Sequence, residues 1–124
     1  MKVTAERYAD VVVASVAGRI DFQNADEFKA SLLPYLANCG AGGDRVVFEL
    51  SQLEYISSAG LRILMIAAKD ARARQGRLVA VTLQPVVREI FEISRFTLIF
   101  DVYDSLRDAL LKISPAALAA YESK

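Results

Sequence analysis

The chain has 124 residues, which suits one domain with a single core that needs no disulfide or metal to hold it. It is 54% hydrophobic and 24% charged, and 15 basic residues balance 15 acidic ones, so no single-signed field invites a nucleic acid or an acidic membrane. The absence of histidine removes the commonest general base, the usual zinc ligand and the second member of most nucleophilic pairs.

Met1 to Arg7 carries charges where a secretory leader needs an apolar stretch, and the longest wholly apolar run, Ile63 to Ala68, is far too short to span a bilayer. A soluble, cytoplasmic protein is expected. The single cysteine, Cys39, excludes an internal disulfide and fits a reducing compartment. A metal site would have to use carboxylates alone, and no cluster of them has a binding-loop spacing.

Taken in chain order, Val3 to Tyr8 alternates weakly and Val11 to Val16 is a β-branched run, so Ala9-Asp10 is expected to turn a hairpin. Gly18 should break that pattern. Asn24-Ala25-Asp26-Glu27 reads as a capping box, followed by Ala25, Phe28, Leu32 and Leu36 at core-facing helical spacing. Pro34 predicts a kink or an early end to this helix. Cys39 to Asp44 is a glycine-rich loop that precedes a strand and lacks a Gly-Lys-Ser/Thr ending, so it reads as a connection rather than a phosphate cradle.

Arg45 to Leu50 is the best strand, with consecutive Val46, Val47 and Phe48 as in a strand covered on both faces. A second helix is predicted from about Ala59 to Gln75, ended by Gly76. Arg77 to Val81 is another buried strand. Pro85 opens a helix with a Val86, Val87, Ile90 and Ile93 stripe, and Phe100 to Tyr103 is a short strand. Asp104 is expected to cap a last helix burying Leu106, Ala109, Leu110 and Ile113, and Pro115 to stop it. One α/β domain over residues 1–114 is predicted, a mixed sheet of four to five strands, mostly parallel with an antiparallel edge hairpin, and about four helices. Residues 115–124 form a C-terminal tail to which no ordered element is assigned.

The informative segment runs from Phe48 to Leu64. A buried strand ends, a short loop follows, and Ser57 and Ser58 sit where a helix begins. The first-turn amides of a helix lack internal partners and carry partial positive charge, so a phosphate on a serine there has donors waiting. Ala59 and Gly60 allow another molecule to approach the backbone closely. Simple helix capping by serine is the ordinary alternative, contributing about 1 kcal/mol.

Leu50-Ser51-Gln52-Leu53-Glu54-Tyr55-Ile56-Ser57-Ser58-Ala59-Gly60-Leu61 resembles the signature of STAS domains, the sulfate-transporter and anti-sigma-factor-antagonist family. Val16-Ala17-Gly18-Arg19-Ile20-Asp21 resembles that family's second recurring block, and the element order matches over roughly residues 1–113. The resemblance implies a STAS-like fold. It implies that the unmodified protein binds an anti-sigma factor that is also a serine kinase, that phosphorylation at Ser58 releases this partner, and that a serine phosphatase resets the cycle. Asp21 would then lie near Ser58 at the same end of the sheet. The family's switches often have aspartate immediately before the acceptor, where this chain has Ser57, so Ser57 is the rival acceptor. Asp21 also has a local reading, favouring a helix start, and Gly60 one of close helix-on-sheet packing.

On the second helix, Leu61, Leu64, Ala68 and Ala71 form the predicted core stripe, with Arg62, Lys69 and Asp70 opposite. Ile63 and Ile66 fall outside the stripe and are expected to be exposed, an apolar patch beside the serines. The candidate partner-binding residues are therefore Asp21, Ser57, Ala59, Gly60, Arg62, Ile63 and Ile66. No enzymatic activity and no cofactor are expected: Ser58 lacks a histidine, and Lys69 and Lys112 lie on other parts of the predicted helices. The alternative function is an interaction module of the same fold in another signalling or transport complex, without phosphorylation.

Overall fold

The longest strand organises the rest. The computed structural model describes residues 1–40 and 42–123, so Ala41, within the predicted Cys39–Asp44 loop, and Lys124 lie outside the described residues. Strand β1 (Lys2–Tyr8) and β2 (Val11–Ile20) form the expected antiparallel hairpin, and Ala9 takes a left-handed conformation (φ 53°) at its turn. The first half of β2 pairs in parallel with β3 (Arg45–Glu49), from Val11 opposite Arg45 to Ser15 opposite Glu49. Its second half pairs in parallel with β4 (Leu53–Ile56), where the sequence reading placed a loop. Strands β5 (Val79–Val81) and β6 (Asp101–Tyr103) complete the order β1-β2-β3-β5-β6, with β4 attached to β2. Gly18 does not end β2: at φ +95° it carries the strand through a register shift before Arg19, onto β4.

Among the described residues there are six strands and five α-helices. Helices α1 (Ala25–Leu36), α2 (Ser58–Ala73) and α3 (Pro85–Ile93) cover one face, and α4 (Leu106–Ile113) and α5 (Pro115–Glu122) the other. Both faces are buried, so strand residues of either parity are apolar. Val46, Phe48 and Ala80 join the core under α1 to α3, whereas Val47, Val79 and Val81 join the core under α4 and α5. Phe48, Phe91, Phe96 and Phe100 cluster in the larger core, with ring centroids 5.4 Å apart for Phe91 and Phe96 and 5.8 Å for Phe91 and Phe100.

Several local expectations change. Asn24 makes no cap with its side chain; its Oδ1 accepts from the Asp21 amide and its Nδ2 donates to the Arg19 carbonyl, so the turn before α1 absorbs it. Helix α1 runs two residues past Pro34, which lies in its last turn, where few further backbone bonds depend on it. Leu36 is half-buried rather than fully buried. Helix α2 starts at Ser58 and ends at Ala73, ahead of Gly76. On α3 the buried residues are Val87 and Phe91, with Ile90 partly covered, while Val86 and Ile93 are exposed. The large Phe91 ring takes the centre of the contact and turns the predicted stripe to its rim. Ser105, not Asp104, caps α4, accepting from the Asp108 amide.

Pro115 occupies the first turn of α5, where a proline lacks nothing the helix needs. Ser114, 4% exposed, accepts from the Ala117 amide at 3.1 Å and donates to Asp10 Oδ1 at 2.6 Å. It thereby ties α5 to the β1–β2 turn, and Tyr121 meets Tyr8 edge-on at 5.3 Å. Ser114→Ala removes a cap and a charge-assisted bond, so a loss of about 1–2 kcal/mol is expected in urea unfolding, read as a lower midpoint at unchanged slope.

Candidate functional site

Strands β2 and β4 run parallel and end side by side, Ile20 opposite Ile56. Each then turns into a helix, β2 through Asp21 to Asn24 into α1 and β4 through Ser57 into α2. The Ser57 amide donates to the Ile20 carbonyl at 2.8 Å, which stitches the two turns together. Asp21 and the two serines therefore share one end of the sheet. Asp21 Oδ1 accepts from the amides of Gln23 (2.9 Å) and Asn24 (3.0 Å), so this carboxylate shapes its own turn. Arg19 lies over the Tyr55 ring, 4.7 Å from its centroid, bracing β4 against β2.

The two serines differ. Ser57 is the cap of α2: half-buried, in extended conformation, with its hydroxyl accepting from the Gly60 amide at 3.3 Å. Ser58 is the first helical residue and is exposed, and its hydroxyl has no hydrogen-bond partner among the described residues. Neither do the Ser58 and Ala59 amides, the donors a helix leaves open at this end. Gly60 is buried, and a Cβ there would lie 2.7 Å from Ile20 Cγ2 and 2.8 Å from Ile56 Cγ1, so only glycine lets α2 settle this closely on β2 and β4. Ser57→Ala is expected to lose about 1 kcal/mol, the cap alone, while leaving Ser58 exposed; thermal unfolding reads it.

Alongside Ser58 a groove of about 750 Å³ runs between α1 and α2. Ala59, Arg62, Ile63 and Ile66 line it from α2, whereas Asp21, Ser57, Ser58 and Gly60 do not. Ile66 is 47% exposed, as expected, but Ile63 packs partly against the core and shows only its remainder to the groove. The sequence reading missed the opposite wall, where Phe22 is 84% and Leu33 is 56% exposed, with Lys29 between them. Leu33 beside the buried Leu32, and Phe22 alone between two polar residues, were the available signals.

This end of the sheet sets polar groups beside an apolar surface. It offers an exposed hydroxyl, open amide donors and an apolar trough rimmed by Asp26, Lys29, Arg62 and Asp70. Among the described residues no group of three or more histidines, cysteines or carboxylates is placed to hold a metal, and no helix is long and apolar enough to cross a membrane. The groups moved from their ordinary acidity at Cys39 and Asp44 lie by the start of β3, at the other end of the sheet. There burial pushes the Cys39 thiol up, and the Arg7 guanidinium, bonded to both Asp44 oxygens at 2.9 Å, holds that carboxyl below its usual range.

Comparison with known proteins bears on the family and the fold. The family model of the STAS domain matches residues 2–109. A Bordetella bronchiseptica protein named "Putative anti-sigma factor antagonist BtrV" is 43% identical over 105 residues, covering 85% of this chain and 88% of its own. The anti-sigma-B factor antagonist of Listeria monocytogenes is 31% identical over 97 residues, covering 78% of this chain and 82% of its own. The crystal structure of an anti-sigma factor antagonist from Mycobacterium paratuberculosis superposes with a TM-score of 0.78 at 26% identity, covering 90% of this chain and 92% of that one.

Proposed function

The chain belongs to the STAS domain family, and from that premise we propose that it is an anti-sigma factor antagonist whose binding is switched by phosphorylation. Unmodified, it sequesters an anti-sigma factor that is also a serine kinase; with phosphate on Ser58 it lets that partner go, and a serine phosphatase restores it. The names of its relatives support the antagonist role. One observation carries the choice of acceptor: the Ser58 hydroxyl is exposed and unpartnered, one residue before the groove-lining Ala59, whereas the Ser57 hydroxyl is already bonded to the Gly60 amide.

The partner brings the catalysis and the nucleotide. Ser58 Oγ attacks the γ-phosphorus of ATP held by the kinase, the bond to the bridging oxygen breaks, ADP leaves, and the hydroxyl proton passes to a base of the kinase. The chain itself is a cytoplasmic, non-enzymatic regulator that takes no cofactor. The groove walls, Ala59, Arg62, Ile63 and Ile66 with Phe22 and Leu33 opposite, receive the partner, and the Asp21 turn frames the acceptor. A phosphate of about −2 charge placed there opposes docking by desolvation and repulsion.

Incubation with ATP and the partner recovered from the native cell tests the reading. One phosphate on Ser58 by mass spectrometry, none on the Ser58→Ala protein, and release of the partner only in the first case are expected. A stable complex indifferent to ATP would make the protein a constitutive docking module instead, and release from the Ser58→Ala protein would overturn Ser58 as the acceptor.

A further inference from the structure

Arg62 stands four residues after Ser58 on α2, so the two side chains neighbour each other across one helical turn. Arg62 is exposed and lines the groove. The ion pairs found among the described residues employ Arg7, Arg45, Arg77, Arg88 and Arg107. Its own helix offers Arg62 no acid, since the residues three and four positions away are Ser58, Ala59, Met65 and Ile66. A phosphate on Ser58 would create the one anion within that reach.

We propose that Arg62 is the counter-ion of phosphorylated Ser58. This rests on the Ser58 reading above. The guanidinium donates two N–H groups to the phosphate oxygens, a geometry a planar fork satisfies and a point charge does not. The order is the favourable one, anion toward the helix N-terminus and cation one turn later. Because Arg62 lines the groove and Ser58 does not, the pair draws its side chain away from the trough, toward the start of α2. Phosphorylation thus alters the wall that receives the partner as well as adding charge beside it.

Other charges stand nearby. Asp21 is occupied by the amides of its own turn, Asp26 and Lys29 lie on α1 across the groove, and Asp70 lies two turns further along α2. Lys29 is the other groove-lining cation, and its removal serves as the comparison.

The full chain carrying phosphoserine introduced at position 58 during translation is titrated by ³¹P NMR. The second phosphate pKa of the otherwise unaltered protein should lie about 0.3 pH unit below that of Arg62→Gln. Arg62→Lys should recover part of the difference, and Lys29→Gln should match the parent. Coincident titrations of the parent and Arg62→Gln proteins, or the shift following Lys29→Gln instead, would overturn the assignment. Partner affinity of the phosphorylated and unmodified parent is measured in parallel. Equal affinities would sink the switch while leaving the counter-ion result readable by itself.

Discussion

Ser58→Glu is expected to weaken the complex with a kinase-type anti-sigma factor by about 100-fold, close to 2.8 kcal/mol. A carboxylate at the first position of α2 stands one residue before the groove-lining Ala59, where a docking partner must strip its water without supplying a compensating cation. A charge that the docking partner leaves uncompensated costs about 2–5 kcal/mol, and pairing with Arg62 one turn later holds the effect toward the lower part of that range. The substitution should not harm the fold. Ser58 is exposed and α2 has no acidic residue in its first turn, so an added carboxylate favours the helix dipole by about 0.3–1 kcal/mol. Lost binding with an unchanged or raised Tm is the expected pair of results, by calorimetry on one preparation. Ser58→Ala should bind within a few-fold of the parent, because it removes a hydroxyl and adds nothing. Equal binding by all three proteins would remove the charge argument.

Phe91→Ala is expected to cost about 4 kcal/mol, against a total stability of about 5–15 kcal/mol for a domain of this kind. Phe91 is fully buried on α3, packed against Phe96 and Phe100 in the larger core. Truncation loses the transfer free energy of the ring, leaves a cavity that the neighbouring rings fill poorly, and removes ring pairs worth about 0.5–1.5 kcal/mol each. Val86→Ala, on the exposed rim of the same helix, should cost well under 1 kcal/mol. Chemical denaturation of both proteins measures the contrast. A similar loss for both would place the core direction of α3 wrongly.

That contrast also shows where sequence patterning stops. Val86, Val87, Ile90 and Ile93 fit a helical stripe as well as Val87, Ile90 and Phe91 do; only the space between β4, the turn over Phe96–Leu98 and α3 decides between them. The parallel architecture was legible because Val46-Val47-Phe48 and Leu78-Val79-Ala80-Val81 are apolar at both parities, the mark of a sheet covered twice. Strand β4 was not. It has four residues with Glu54 and Tyr55 at its middle, and it exists because β2 extends beyond β3 and leaves an edge to pair, a nonlocal cause. The capping box at Asn24 failed for a related reason: two nearer backbone partners, the Asp21 amide and the Arg19 carbonyl, claimed the side chain. At the candidate site, the α2 wall could be read from helical spacing. Phe22 and Leu33 come from a different element, and nothing in the linear pattern says that α1 lies alongside α2.

The central claim is that a phosphate on Ser58 alone ends partner binding. The direct measurement is the affinity of the protein carrying phosphoserine at position 58, against the unmodified protein, for the purified kinase-type anti-sigma factor with no nucleotide hydrolysis in progress. Moving a complex from mostly bound to mostly free takes about 10⁴-fold, near 5.5 kcal/mol, and a loss approaching that size is the expected result. Affinities within three-fold of each other, with the fold intact by circular dichroism, would contradict the account.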